Sequence, residues 1–228
     1  MIIKENSEVE SGDTEDPNSY DKAKMELFDW IQCVVGAVII GIIIFVFFGR
    51  TIGVDGISMM NTLRHNDRVV ISNLLYTPVN GDIIVFQTGC EAFGGSPLVK
   101  RVVATEYQTV DINFECGHVF VDGVLQCEPY LHEPTYVRAN FEGPVLVQPG
   151  HIFVMGDNRN HSTDSRDSRI GQIDTRKILG KVLFMIIPGP EGDDNATRNW
   201  SRFGFIENPD SCRHGQDCVC VSSCGCIT

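Results

Sequence analysis

Val119-Phe120-Val121-Asp122-Gly123-Val124-Leu125 decides the fold class. Two short runs of β-branched and aromatic residues are joined by Asp-Gly, a pair that tolerates the positive φ values of a tight hairpin turn. The same kind of run recurs on both sides: Val69-Val70-Ile71, Ile83-Ile84-Val85-Phe86, Val99 to Ala104, Val145-Leu146-Val147, Ile152-Phe153-Val154-Met155 and Val182 to Ile187. Turn signals separate them, among them Asn80-Gly81-Asp82, Pro149-Gly150 and Pro188-Gly189-Pro190. Strands do not alternate with helices, which argues against a parallel α/β domain. The expectation is a mainly β fold, antiparallel and coiled or barrel-like, over residues 49–206. A stretch at about 105–150 reads as an insertion, because it carries its own hairpin and a Pro-rich loop (Pro129, Pro134, Pro144).

N-terminal to this domain, Trp30 to Phe48 reads WIQCVVGAVIIGIIIFVFF, an uncharged run of 19 residues. As a helix it is about 28 Å long, close to the hydrocarbon thickness of a bilayer. Trp30 suits one interface and Arg50 marks the other end. The run begins far from the N-terminus and ends in Phe47-Phe48 rather than small residues, so a cleaved signal sequence fits poorly. A single transmembrane helix over 30–48 is expected. Residues 1–29 carry nine acids against Lys4, Lys22 and Lys24, with almost nothing apolar before Met25. This stretch reads as an acidic, disordered tail. The whole chain has a formal net charge of −12, which argues against nucleic acid as a partner.

Lysine and arginine near the helix ends do not decide orientation, but cysteines do lean one way. Cys212, Cys218, Cys220, Cys224 and Cys226 crowd the last 17 residues, and Cys116 and Cys127 flank the hairpin. Such density fits an oxidising compartment. The β domain is therefore expected outside the cytoplasm, the acidic tail inside, and Cys116–Cys127 as a pair across the hairpin. The tail, residues 207–228, lacks the paired C-x2-C spacing of a zinc ribbon; disulfides are the first reading there, with inert thiols or metal binding as alternatives.

Ser58 and Lys100 carry the chemistry. A serine hydroxyl needs a base beside it, and lysine serves only if its amine is neutral, which burial favours. Lys100 lies mid-run in Leu98-Val99-Lys100-Arg101-Val102-Val103, where a charge is anomalous. Gly56 leaves an unhindered approach to Ser58, whose N–H is placed to hold an oxyanion. In Gly156-Asp157-Asn158-Arg159 through Ser162-Thr163-Asp164-Ser165-Arg166, Asp164 and Arg166 can pair and Ser162 can orient the lysine amine. This constellation suggests a membrane-tethered hydrolase with serine as nucleophile and lysine as base. It calls for no metal and no organic cofactor.

Together these blocks resemble the bacterial type I signal peptidases, the leader peptidases. That family has S-M-x-P-T-L after an anchor, then G-D-[IV]-[IV]-V-F, then K-R-V, then G-D-N-R-x-x-S-x-D-S-R. Here the blocks are Ser58 to Leu63, Gly81 to Phe86, Lys100 to Val102 and Gly156 to Arg166, in the same order, and the likeness runs from about residue 30 to 206. The resemblance implies that Ser58 is the nucleophile and Lys100 the general base. It implies that Ser162 bonds the lysine, that Asp164 and Arg166 brace the loop, and that the Ser58 N–H is one oxyanion donor. Gly56 stands where many relatives have a serine that supplies the second. It implies small substrate pockets lined by Ile52, Val54, Met59, Leu63, Val69 and Val99. The implied activity is removal of signal peptides from exported preproteins after A-x-A sites, at the cell membrane, with signal peptides and membrane lipid as partners.

Three departures mark this chain. Asn61 replaces the family proline, Thr105-Glu106-Tyr107 replaces a Pro-Gly-Asp turn, and the Cys-rich tail has no counterpart. Alternatives are a dedicated peptidase for a narrow substrate, such as a pilin, and a degenerate membrane-anchored Cys-rich binding or redox module. A self-cleaving repressor also uses serine and lysine, but would need a DNA-binding domain.

Overall fold

The structure is a computed structural model that describes residues 17–48, 50–89, 94–191 and 197–206. The acidic residues 1–16 and the Cys-rich tail therefore lie outside the described residues. The chain divides into two units, residues 1–46 and 47–228.

The first unit contains α1, Pro17–Phe48. Proline suits the first helical position, where its missing N–H has no partner to lose and its φ is already helical. The helix begins before Trp30, so residues 17–29 belong to it rather than to a disordered tail. Residues 22 and 24–29 are exposed, and a helix needs no core here. Lys22, Ala23, Lys24, Met25, Glu26 and Leu27 all have high helix propensity. Among the described residues α1 is the one helix long and apolar enough to cross a membrane, over Lys24–Ile43, and none of that window is buried. From Trp30 onward the helix carries no charge, so that part has no polar face to offer water.

The second unit is antiparallel β. Its strands are β1 (Arg50–Gly53), β2 (Arg68–Ser72), β3 (Ile83–Gln87), β4 (Pro97–Ala104), β5 (Thr109–Asn113), β6 (His118–Val121), β7 (Val124–Leu125), β8 (Val145–Leu146), β9 (His151–Met155), β10 (Ile173–Asp174), β11 (Ile178–Ile187) and β12 (Gly204–Phe205). The larger sheet has the order β1-β2-β11-β3-β4-β9-β10, with β12 on β11, and the smaller has the order β7-β6-β5-β8. Register shifts along β11 and between β4 and β9 mark bulges. Bulges add local twist, which coils the larger sheet.

The period of two decides which core each residue joins. On β9, Ile152 and Val154 enter one cluster with Ile84, Phe86 and Val102, while Phe153 and Met155 enter another with Val110, Ile112, Val119 and Val121. The insertion thus shares a core with β9. β5 was missed in the sequence because Asp111 and Asn113 interrupt its apolar residues; in the fold Val110 and Ile112 are buried and the polar pair faces out. Asp122 and Gly123 have φ of 52° and 75°, as the Asp-Gly signal requires. Thr105-Glu106-Tyr107 also makes a turn without the family's Pro-Gly: Gln108 N donates to Thr105 O, and Tyr107 takes the positive φ of 67°. Cys116 and Cys127 are both disulfide-bonded, and among the described residues Cys33 is free.

Candidate active site

The turn after β1 presents Ser58. Val54 N donates to Asp67 O at 2.8 Å and Asn66 N to Val54 O at 2.9 Å, so both ends of the loop are clamped. Gly56 has φ of +92°, a conformation that a side chain resists. Met60 N donates to Ile57 O and Leu63 N to Met59 O, which winds the chain just past the serine. Met59 and Leu63 are buried and moor this turn to the core.

Lys100 lies on β4 opposite Ile84. Its Nζ is 2.7 Å from Ser58 Oγ and donates to Val99 O at 2.9 Å. The residue is 3 % exposed. Burial lowers its pKa from 10.5 to about 8, while the carboxylates of Asp164 and Asp157 oppose a further fall. At pH 7 such a lysine is neutral about one time in ten; an ordinary one is neutral about once in several thousand. Nζ loses its proton near pH 8, so kcat/KM is expected to rise with pH and level off above that value. A pH–rate profile checks this; an acid limb near 10.5, or none, would remove the burial argument. The unfolded chain keeps this proton until about 10.5, so Lys100 also makes folding more favourable as pH rises between those two values.

The loop after β9 closes the site from behind. It reads as polar, yet Asp157, Asn158, Arg159, Asp164, Ser165 and Arg166 are all buried. Arg166 Nε and Nη2 donate to Asp164 at 2.8 and 2.9 Å, and Gly156 N donates to Asp164 Oδ2 at 3.0 Å. Burial pushes the Asp164 carboxyl up, but these donors and the Arg166 charge hold it below the ordinary carboxylate range. Ser162 and Ser58 O both stand close to Gly156, where a side chain would meet them. The Ser162 hydroxyl is near enough to favour the Asp164 charge, yet among the described residues it has no hydrogen-bond partner of good geometry. The two lysine bonds go to Ser58 and Val99, so the expected Ser162–Lys100 bond is not formed in this state.

The residues expected to line small pockets divide in two. Val54, Met59, Leu63 and Val69 lie in the core, and Ile52 and Val99 pack half-buried on its edge. The strand period turns Val69 fully inward and the turn after Ser58 buries Leu63, so neither offers a surface of its own.

Several supporting residues had no role assigned from the sequence. Arg101 binds Asp157 through Nε and Nη2 at 2.8 and 2.7 Å, and Thr62 Oγ1 donates to the same carboxylate at 2.5 Å. The Tyr130 ring lies 3.9 Å from the Arg101 guanidinium carbon, and Tyr130 Oη donates to Glu128 Oε1 at 3.0 Å. Glu128 pairs with the buried Arg159, whose Nε donates to Gly156 O. Nothing in Cys127-Glu128-Pro129-Tyr130 announces this; only the anomaly of Arg101 in an apolar strand was a signal.

A serine at hydrogen-bond distance from a buried lysine, on an antiparallel β domain, is an arrangement that suits a serine hydrolase. The chain belongs to the signal peptidase family: the family described as signal peptidase, peptidase S26, matches residues 27–187. It is 32 % identical over 176 residues to signal peptidase I of Bacillus licheniformis, covering 72 % of this chain and 91 % of that one. It is 31 % identical over 180 residues to signal peptidase I P of Bacillus subtilis subsp. natto, covering 73 % and 92 %. Signal peptidase IB of Staphylococcus aureus is 30 % identical over 190 residues, covering 75 % and 95 %. A solved signal peptidase I of Enterococcus faecalis overlaps 46 % of this chain and 97 % of its own, at 25 % identity and a TM-score of 0.38. The protein is a signal peptidase hydrolase.

Proposed function

We propose that this peptidase removes signal peptides after small residues with Ser58 as nucleophile and Lys100 as general base. The observation that carries the reading is the 2.7 Å separation of Nζ and Oγ at a lysine that is almost wholly buried. Neutral Lys100 takes the Ser58 proton as Oγ attacks the carbonyl carbon. The same amine, now protonated, gives its proton to the departing amine of the mature chain. Water then hydrolyses the acyl ester with Lys100 as base, and Ser58 is regenerated. The Ser58 N–H stabilises the oxyanion of both steps.

Specificity for A-x-A sites rests on packing. The surface that Ile52 and Val99 offer is backed by the close-packed Val54, Met59, Leu63 and Val69. A wall without space behind it admits a methyl group and resists a larger side chain. The apolar helix α1 anchors the enzyme with one span, and residues 49–206 form the catalytic domain. The stretch 105–150 acts as a brace on the catalytic loop through Glu128 and Tyr130. Bonded Cys116 and Cys127 favour an oxidising side, hence a domain outside the cytoplasm and a tail within it. Anchoring confines enzyme and signal peptide to one layer of membrane, which raises their effective concentration.

The test is cleavage by the full chain in liposomes. A preprotein with an A-x-A site is expected to be cut after its second alanine. The same preprotein with leucine there is expected to be cut at least about 100-fold more slowly. Equal cleavage of both would remove the pocket argument. No cleavage of either by folded protein would favour a narrow, dedicated substrate.

A further inference from the structure

We infer that Asn158 is a positioning residue that aims the Ser58 N–H at the oxyanion. The inference rests on Ser58 being the nucleophile. Asn158 is 3 % exposed and meets the nucleophile's turn twice. Its Nδ2 donates to Ile57 O at 3.1 Å and its backbone N to Ser58 O at 3.0 Å. These carbonyls belong to the two peptide planes that flank Ser58. In a trans peptide the C=O of one residue and the N–H of the next point in opposite directions. Holding Ile57 O against Asn158 therefore turns the Ser58 N–H to the other side of that plane. The neighbouring bond to Ser58 O fixes the plane on the far side of the same α-carbon, so Asn158 limits rotation at both φ and ψ of the nucleophile.

Two further observations separate this role from ordinary packing. Asn158 precedes the 3₁₀ turn Arg159–His161 at its N-cap position, where asparagine normally caps through its side chain. Here the side chain makes no cap and reaches across 101 residues of sequence to Ile57 instead. In addition its Oδ1 is buried with no partner among the described residues. An orphaned buried acceptor is unfavourable, and an apolar side chain of similar size would avoid it. The side chain is held there for its donor.

Gly56 makes this alignment matter more. With no hydroxyl at that position, the Ser58 N–H carries a larger share of oxyanion stabilisation than it would beside a second donor.

The test uses the full chain in liposomes with Asn158→Ala. The expected result is a kcat about 10-fold lower with KM changed less than 2-fold, because the bond matters only when the oxyanion forms. Binding of an A-x-A peptide aldehyde should weaken by the same factor. Ser58 Oγ adds to the aldehyde carbon, the carbonyl π pair becomes the oxyanion, and the serine proton passes to Lys100. Binding of a non-cleavable A-x-A peptide should not change, and the acid limb of the pH–rate profile should stay where it is. As a second variant, Asn158→Asp keeps the size but loses the donor; it should show the same loss at pH 10, where Lys100 is neutral. Unchanged kcat in both variants, or aldehyde binding as tight as wild type, would overturn the inference. So would equal weakening of the non-cleavable peptide, since that marks a general loss of structure. Cleavage that survives Ser58→Ala would instead sink the underlying nucleophile assignment.

Discussion

Ser58→Ala and Lys100→Met are each expected to lower kcat/KM for an A-x-A preprotein by at least about 10⁴-fold, with the domain still folded. Without Oγ no acyl-enzyme forms. Without Nζ the hydroxyl keeps its proton at any accessible pH, because nothing at 2.7 Å accepts it. Methionine is the better replacement than alanine, since it fills the space of a buried lysine stem and removes only the amine. Because the two groups act as a unit, the double variant should be no worse than either single one. The measurement is single-turnover cleavage beside a thermal melt. Activity within tenfold of wild type in folded Lys100→Met protein would dismiss lysine as the base. Losses that multiply in the double variant would show that the two residues act independently.

Gly156→Ala is expected to cost about 100-fold or more in kcat, although it adds one methyl group. A Cβ built at Gly156 overlaps Ser162 Oγ and stands 2.5 Å from Ser58 O. Neither neighbour can yield freely. Ser162 is on the loop held by Asp164 and Arg166, and Ser58 O belongs to the nucleophile's own backbone. Relief at Ser58 O shifts the backbone that carries Oγ, and misplacement by about 1 Å is enough to lose two orders of magnitude. The discriminating readout is kcat against peptide binding in protein with an unaltered melting curve. A Gly156→Ala enzyme that turns over as fast as wild type would show that the turn moves without disturbing the dyad.

Both expectations use residues that the sequence marked, but at distances it did not contain. The antiparallel β character was legible in runs such as Ile83 to Phe86 and Ile152 to Met155, because a period of two and Asp-Gly or Pro-Gly turns are local properties. β5 escaped because Asp111 and Asn113 dilute a five-residue signal, although their alternation with Val110 and Ile112 was itself the pattern of a half-buried strand. The start of α1 is illegible for a different reason: acidity argues against a core, whereas helix propensity at residues 22–27 is local and needs none. Ser58, Lys100, Asp164 and Arg166 were readable from their motifs. Glu128 and Tyr130 were not, since their partners Arg159 and Arg101 are distant in sequence and meet them only through the fold.

By itself, then, the sequence determined the β class, the apolar helix and the family, and it singled out Ser58 and Lys100 as the proposed reactive pair. Each depends on residue type and short-range spacing. Tertiary structure alone decided that Lys100 is buried enough to lose its proton near pH 8 and that a polar-looking loop is interior. It also decided that Asn158 donates to the carbonyls on either side of Ser58. Those outcomes depend on which strands pair and in what register, and burial, desolvation and a 2.7 Å contact exist only once distant segments have been brought together.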